Sequence, residues 1–119
     1  MSCSYYIDGG GIFMAVDFET VNQIAREYAV EVGRELPVDK AVLFGSYARG
    51  YASEQSDIDI CFFLKNYNGK RRVDIITQIL GIGGEKYKGA FFEPIVFETD
   101  EIQNDNPLVQ EILATGIEL

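Results

Sequence analysis

Apolar residues in this chain recur at two different spacings. From Asp17 onward, Phe18, Val21, Ile24, Ala25, Tyr28 and Val32 fall three or four residues apart, the period of one buried helix face. Asp17 stands where an N-cap belongs, Glu19, Arg26, Glu27 and Arg34 populate the other face, and Pro37 stops the helix shortly after Gly33. Shorter runs without that period follow. Lys40 to Phe44 predicts an apolar strand ended by Gly45, with a short helix from Ser46 to about Ala52. Asp57 to Leu64 is rich in β-branched and aromatic residues and too short for a core helix, so it predicts a second strand, ended by the turn signal Asn66-Tyr67-Asn68-Gly69. After the basic Lys70-Arg71-Arg72, the residues Val73, Ile76, Ile79 and Leu80 predict an amphipathic helix that stops at Gly81. A strand from Ala90 to Phe97 comes next. Asn106-Pro107 then opens a last helix, carrying Leu108, Ile112 and Leu113 and ending at Gly116.

This alternation of helices and strands predicts an α/β (α+β) domain with helices around a small sheet, covering residues 14–119. The first 13 residues, MSCSYYIDGGGIF, carry a run of three glycines and no helical period. They lack the cationic start and long apolar stretch of a secretory signal, and are expected to be a disordered leader or extension outside the fold. Composition agrees with a folded domain: 47% of the chain is hydrophobic and 13% of the chain is aromatic, enough for a packed core. The longest apolar runs, such as Ile60 to Leu64, fall far short of the roughly 20 residues that cross a bilayer.

Charge narrows the function. Ten Lys and Arg against 19 Asp and Glu leave a formal charge of −9, which opposes sequence-independent binding to the phosphate backbone of nucleic acid and leaves a basic macromolecule or a metal-bridged anion as partner. The chain contains no histidine, which removes Ser-His-Asp and Cys-His nucleophile systems and His-containing zinc sites together. Cys3 and Cys61 lie on separate segments without CxxC spacing; they read as reduced, and the protein as cytoplasmic. Catalysis, if present, rests on carboxylates with Mg²⁺-like ions, or on Lys, Tyr and Ser.

The stretch GSYARGYASEQSDIDI, residues 45–60, carries the chemistry. Side chains alternate across a strand, so Asp57 and Asp59 share one face, and a divalent cation is the natural compensation for their repulsion. Mg²⁺ takes oxygen ligands, commonly one or two carboxylates plus substrate phosphates. Gly45 permits close backbone approach, and Ser46 at a helix start offers an N–H and a hydroxyl to an anion. A triphosphate lying between the two is the outline of a phosphoryl- or nucleotidyl-transfer site.

GSYARG followed by SDIDI, with the spacing G-S-x₁₀-D-x-D, resembles the signature of the nucleotidyltransferase superfamily of DNA polymerase beta type, and the short chain resembles its minimal nucleotidyltransferase (MNT) branch. The resemblance implies a nucleotidyltransferase fold, a small mixed β-sheet flanked by helices. It implies that Gly45 and Ser46 hold the β- and γ-phosphates of ATP or another NTP. It further implies that Asp57 and Asp59 bind two Mg²⁺ ions, and that a third carboxylate on a later strand helps bind the second ion and orients or deprotonates the attacking hydroxyl. Glu93, in Phe91-Phe92-Glu93-Pro94-Ile95-Val96, is the candidate for that third carboxylate, with Asp74 as the alternative. In the MNT branch the usual partner is a small helical HEPN-type toxin protein, neutralised by binding and in some cases by transfer of AMP to one of its tyrosines.

Plainer roles stand beside these. Arg49 contacts phosphate or braces its loop through a carboxylate. Lys70-Arg71-Arg72 reads as a solvated helix start, Tyr47 and Tyr51 as helix-packing aromatics, and Cys61 as a small buried hydrophobe on the Asp57 and Asp59 face. Two functions compete with catalysis: a non-catalytic MNT-fold protein that neutralises a partner by complex formation, and a homo-oligomeric sensor that binds MgATP without turnover.

Overall fold

The structure, a computed structural model, describes residues 5–8, 11–14, 18–50, 57–65, 70–83 and 92–119. Helix α1 (Phe18–Glu35) buries Val21, Ala25, Tyr28 and Val32 completely, the stripe that the sequence period marks. The chain then enters strand β3 (Val38–Phe44), turns through the five-residue helix α2 (Gly45–Arg49), and returns as strand β4 (Ile58–Leu64). Helix α3 (Arg72–Gly83) leads to strand β5 (Phe92–Glu98), a 3₁₀ turn (Thr99–Gln103), helix α4 (Pro107–Thr115) and the two-residue strand β6 (Ile117–Glu118).

These strands form one mixed sheet in the order β5-β4-β3-β6, with β4 parallel to β5 and β3 antiparallel to both β4 and β6. A parallel neighbour requires a crossover, and α3 occupies it. The pleat divides the core into two layers. Ile58, Ile60, Phe62 and Leu64 face α1 and α3, whereas Cys61 and Phe63 face α4 with Phe97, Val109 and Ile112. Because β4 is buried on both faces, Ile60 to Leu64 is apolar without interruption.

Several elements depart from the sequence expectation. Strand β1 (Tyr5–Asp8) pairs antiparallel with strand β2 (Gly11–Met14) where residues 1–13 were expected to be disordered; the two make their own sheet, separate from the four-stranded one. Helix α3 runs past Gly81 to Gly83, because Ile82 packs onto the core and Gly83 is buried. Those contacts outweigh the roughly 1 kcal/mol that a glycine costs a helix interior. The 3₁₀ turn and β6 have no counterpart in the hydrophobic pattern. Strand β6 is fixed by tertiary pairing, Val42 with Glu118 and Leu43 with Ile117, extended by the Leu119 N–H on the Ala41 carbonyl at 2.9 Å. The expected N-cap Asp17, the Asn66–Gly69 turn, Tyr51 and the start of the Ala90 strand lie outside the described residues. Among the described residues no helix is long and apolar enough to cross a membrane.

Candidate active site

Strand β3 delivers the chain to Gly45, the first residue of α2, at φ +76°. That left-handed backbone is open to glycine at no steric cost, and the absent side chain has a second purpose. A Cβ at position 45 would run into the Oδ2 of Asp59. The Asp59 carboxylate therefore lies against the bare backbone of the turn, which brings the Gly-Ser pair and the second aspartate of the motif into contact. Ser46 follows, half-buried, with its carbonyl accepting the Gly50 N–H at 3.0 Å. Tyr47 points inward and is 3% exposed, a core residue of the α1 side as expected.

On the other side of Asp59 stands Glu93. The parallel pairing of β4 with β5 sets Asp59 opposite Glu93 and Ile58 opposite Phe92, and the two carboxyl groups are hydrogen-bonded. Two carboxyl groups share a hydrogen bond only when one of them keeps a proton. Asp59 accordingly has its pKa pushed up to about 7, by burial first, then by the hydrogen bond and the charge of Glu93, then by the charge of Asp57. Asp57 is exposed at the mouth of β4, two residues before Asp59 and on the same face. Asp74, the alternative third carboxylate, sits elsewhere: it is exposed in the first turn of α3 and ion-paired with Arg71 at 3.1 Å.

The donor set is entirely oxygen. Among the described residues no group of three or more Asp, Glu, Cys or His gathers closely enough to enclose a metal ion, but Mg²⁺ does not need such a cage, since it keeps waters and substrate phosphates among its ligands. Asp59 and Glu93 face each other as an all-oxygen pair with Asp57 two residues before Asp59, which is the donor chemistry that a hard divalent ion takes. Arg49 stands at the end of α2, exposed, with its guanidinium 3.9 Å from Glu111 of α4. Glu111 is absent from the sequence reading because nothing in spacing connects positions 49 and 111; only the packing of α4 beside α2 does. Cys61 continues the Asp59 face into the core, and burial pushes its thiol up to about 12, which leaves it inert.

Known proteins share this arrangement of sequence. The family profile described as Nucleotidyltransferase domain matches residues 25–113. A Methanocaldococcus jannaschii protein named as a candidate protein adenylyltransferase is 33% identical over 111 residues, spanning 87% of this chain and 74% of that protein. A second protein of that organism with the same description is 29% identical over 91 residues, 69% of this chain and 91% of its own. Among solved structures, the crystal structure of a candidate nucleotidyltransferase from Sulfolobus solfataricus superposes with a TM-score of 0.60, covering 85% of this chain and 80% of that one at 21% identity, a likeness of fold.

Proposed function

Because the chain belongs to the nucleotidyltransferase domain family, we propose that it moves a nucleoside monophosphate, AMP from ATP, onto a hydroxyl of a partner protein, and that it acts as the MNT antitoxin of a HEPN-type toxin. The observation that carries the transfer reading is the convergence of three elements on Asp59: the Gly45 backbone from the β3-α2 turn, Glu93 from β5, and Asp57 from the start of β4. The names of the two methanogen relatives support protein as the acceptor. The charge of −9 supports a basic protein over nucleic acid.

In this reading Gly45 and Ser46 hold the β- and γ-phosphates, with Arg49 beside them once it exchanges Glu111 for phosphate. Asp57, Asp59 and Glu93 would hold two Mg²⁺ ions, which would supply charge neutralisation of the triphosphate and a lowered pKa of the acceptor hydroxyl. With Asp59 seated against Gly45, phosphates bound at the Gly-Ser turn would lie beside the carboxylate pair, and the acceptor would approach the α-phosphorus from the side of Glu93. The acceptor oxygen bonds to the α-phosphorus as the α–β anhydride breaks. Pyrophosphate leaves, and the hydroxyl proton passes to Glu93 and on to water.

The test is label transfer in extract of the source cells, with Mg²⁺ and ATP labelled at the α- or the γ-phosphate, comparing the wild-type chain with Asp57→Asn. Transfer of α-label alone, lost in the variant, is the expected result and marks the acceptor for isolation. No transfer from either label, with a partner captured tightly, would replace this reading by neutralisation through binding alone.

A further inference from the structure

Tyr28 has the largest side chain among the described residues that are completely buried, and it touches both α3 and β5. Its hydroxyl donates a 2.6 Å hydrogen bond to the carbonyl of Ile79 in the later part of α3. Its ring lies against Gly83, the last residue of α3, so closely that a Cβ there would stand 2.7 Å from Cε1. The same ring stacks on Phe92, with centroids 4.0 Å apart and planes 20° from parallel. Phe92 is the first residue of β5, and Glu93 is the second. One aromatic ring on α1 thus ties down the end of α3 and the beginning of β5.

The pleat converts that anchoring into orientation. Neighbouring residues of a strand point to opposite faces, so holding Phe92 against α1 directs Glu93 to the other face, where Asp59 stands. Ile58 with Phe92 and Asp59 with Glu93 are also the first two rungs of the β4-β5 ladder. Strand ends fray unless side chains secure them, and the Tyr28 stack is a contact of that kind at the first residue of β5.

We infer that Tyr28 is a positioning residue for Glu93: through Phe92 it sets the first rungs of the ladder and with them the approach of Glu93 to Asp59. The inference rests on the reading of these carboxylates as metal ligands. The test is Mn²⁺ uptake by the full chain, followed by the electron paramagnetic resonance signal of the free ion, and it needs neither nucleotide nor acceptor. Tyr28→Leu and Phe92→Leu are expected to weaken Mn²⁺ binding by about 10-fold, the scale for loss of a group that orients a metal ligand. Tyr28→Phe keeps the stack and is expected to keep wild-type affinity. Val32→Ala, one turn further along α1 and equally buried, is expected to lose stability and keep affinity. Unchanged affinity in Phe92→Leu, or an equal loss in Val32→Ala, would overturn the inference. Should Tyr28→Leu not fold, Phe92→Leu decides, because Phe92 is only partly buried. A wild-type chain that takes up no Mn²⁺ would defeat the ligand reading itself, and the positioning role with it.

Discussion

The two most constrained residues of the candidate site constrain each other. Gly45 cannot carry a side chain because its φ is positive and because Asp59 fills the space, so Gly45→Ala combines backbone strain of about 1–3 kcal/mol with a displaced carboxylate. Thermal unfolding should show the first effect. Label transfer should show the second, as a loss of about 100-fold or more, the scale for reacting groups moved by an ångström. Asp59 adds a dependence on pH. Its carboxyl ionises near 3.8 when unperturbed and near 7 in the fold, so between those values the folded chain holds a proton that the unfolded chain has released. The Asp59 contribution to stability without metal is therefore fullest below pH 4 and is lost as the pH rises through 7. Urea unfolding in EDTA at pH 5 and pH 8 should show the higher midpoint at pH 5. Asp59→Asn should flatten the difference, and so should Mg²⁺, which takes the place of the proton.

Among the elements, α4 owes its position to its ends more than to its length. Asn106 accepts the N–H groups of Leu108 at 3.0 Å and Val109 at 3.4 Å, and Pro107 occupies the first helical position, where no N–H is required. Asn106→Ala should lower the unfolding free energy by about 1 kcal/mol, read from urea titration. Transfer at saturating nucleotide should persist, since none of the candidate phosphate- or metal-holding residues lies on α4, which reaches Arg49 through the exposed Glu111. Helix α3 shows the opposite balance. Its termination at Gly83 rather than Gly81 comes from packing against Tyr28, which no local signal in residues 72–83 announces.

For the molecule as a whole, the acidic balance sets which partners approach. A charge of −9 should prevent any mobility shift of duplex DNA at physiological salt, and capture of a basic protein partner should weaken as salt rises, because the attraction is screened over about 8 Å. Much of the architecture is written locally: the period of α1, the unbroken apolar run of β4, the Asn-Pro opening of α4 and the Gly-Ser and Asp-x-Asp signals are all properties of neighbouring residues. So is the common face of Asp57 and Asp59, since it follows from the pleat of one strand. The choice between Glu93 and Asp74 as neighbour of Asp59 is of another kind. Both are acidic and both lie near apolar residues, and only the parallel register of β5 on β4 sets Glu93 at the hydrogen-bonding position while Asp74 turns to solvent with Arg71. Strand β6, the pair of Arg49 with Glu111 and the stack of Tyr28 on Phe92 likewise join positions far apart in the chain. Short-range patterns determined the four helices, the strands β3, β4 and β5 and where the chemistry would concentrate, but not β6 or the pairing of β1 with β2. Tertiary structure alone decided which distant side chains meet, because contact between remote positions depends on how the sheet and its helices pack.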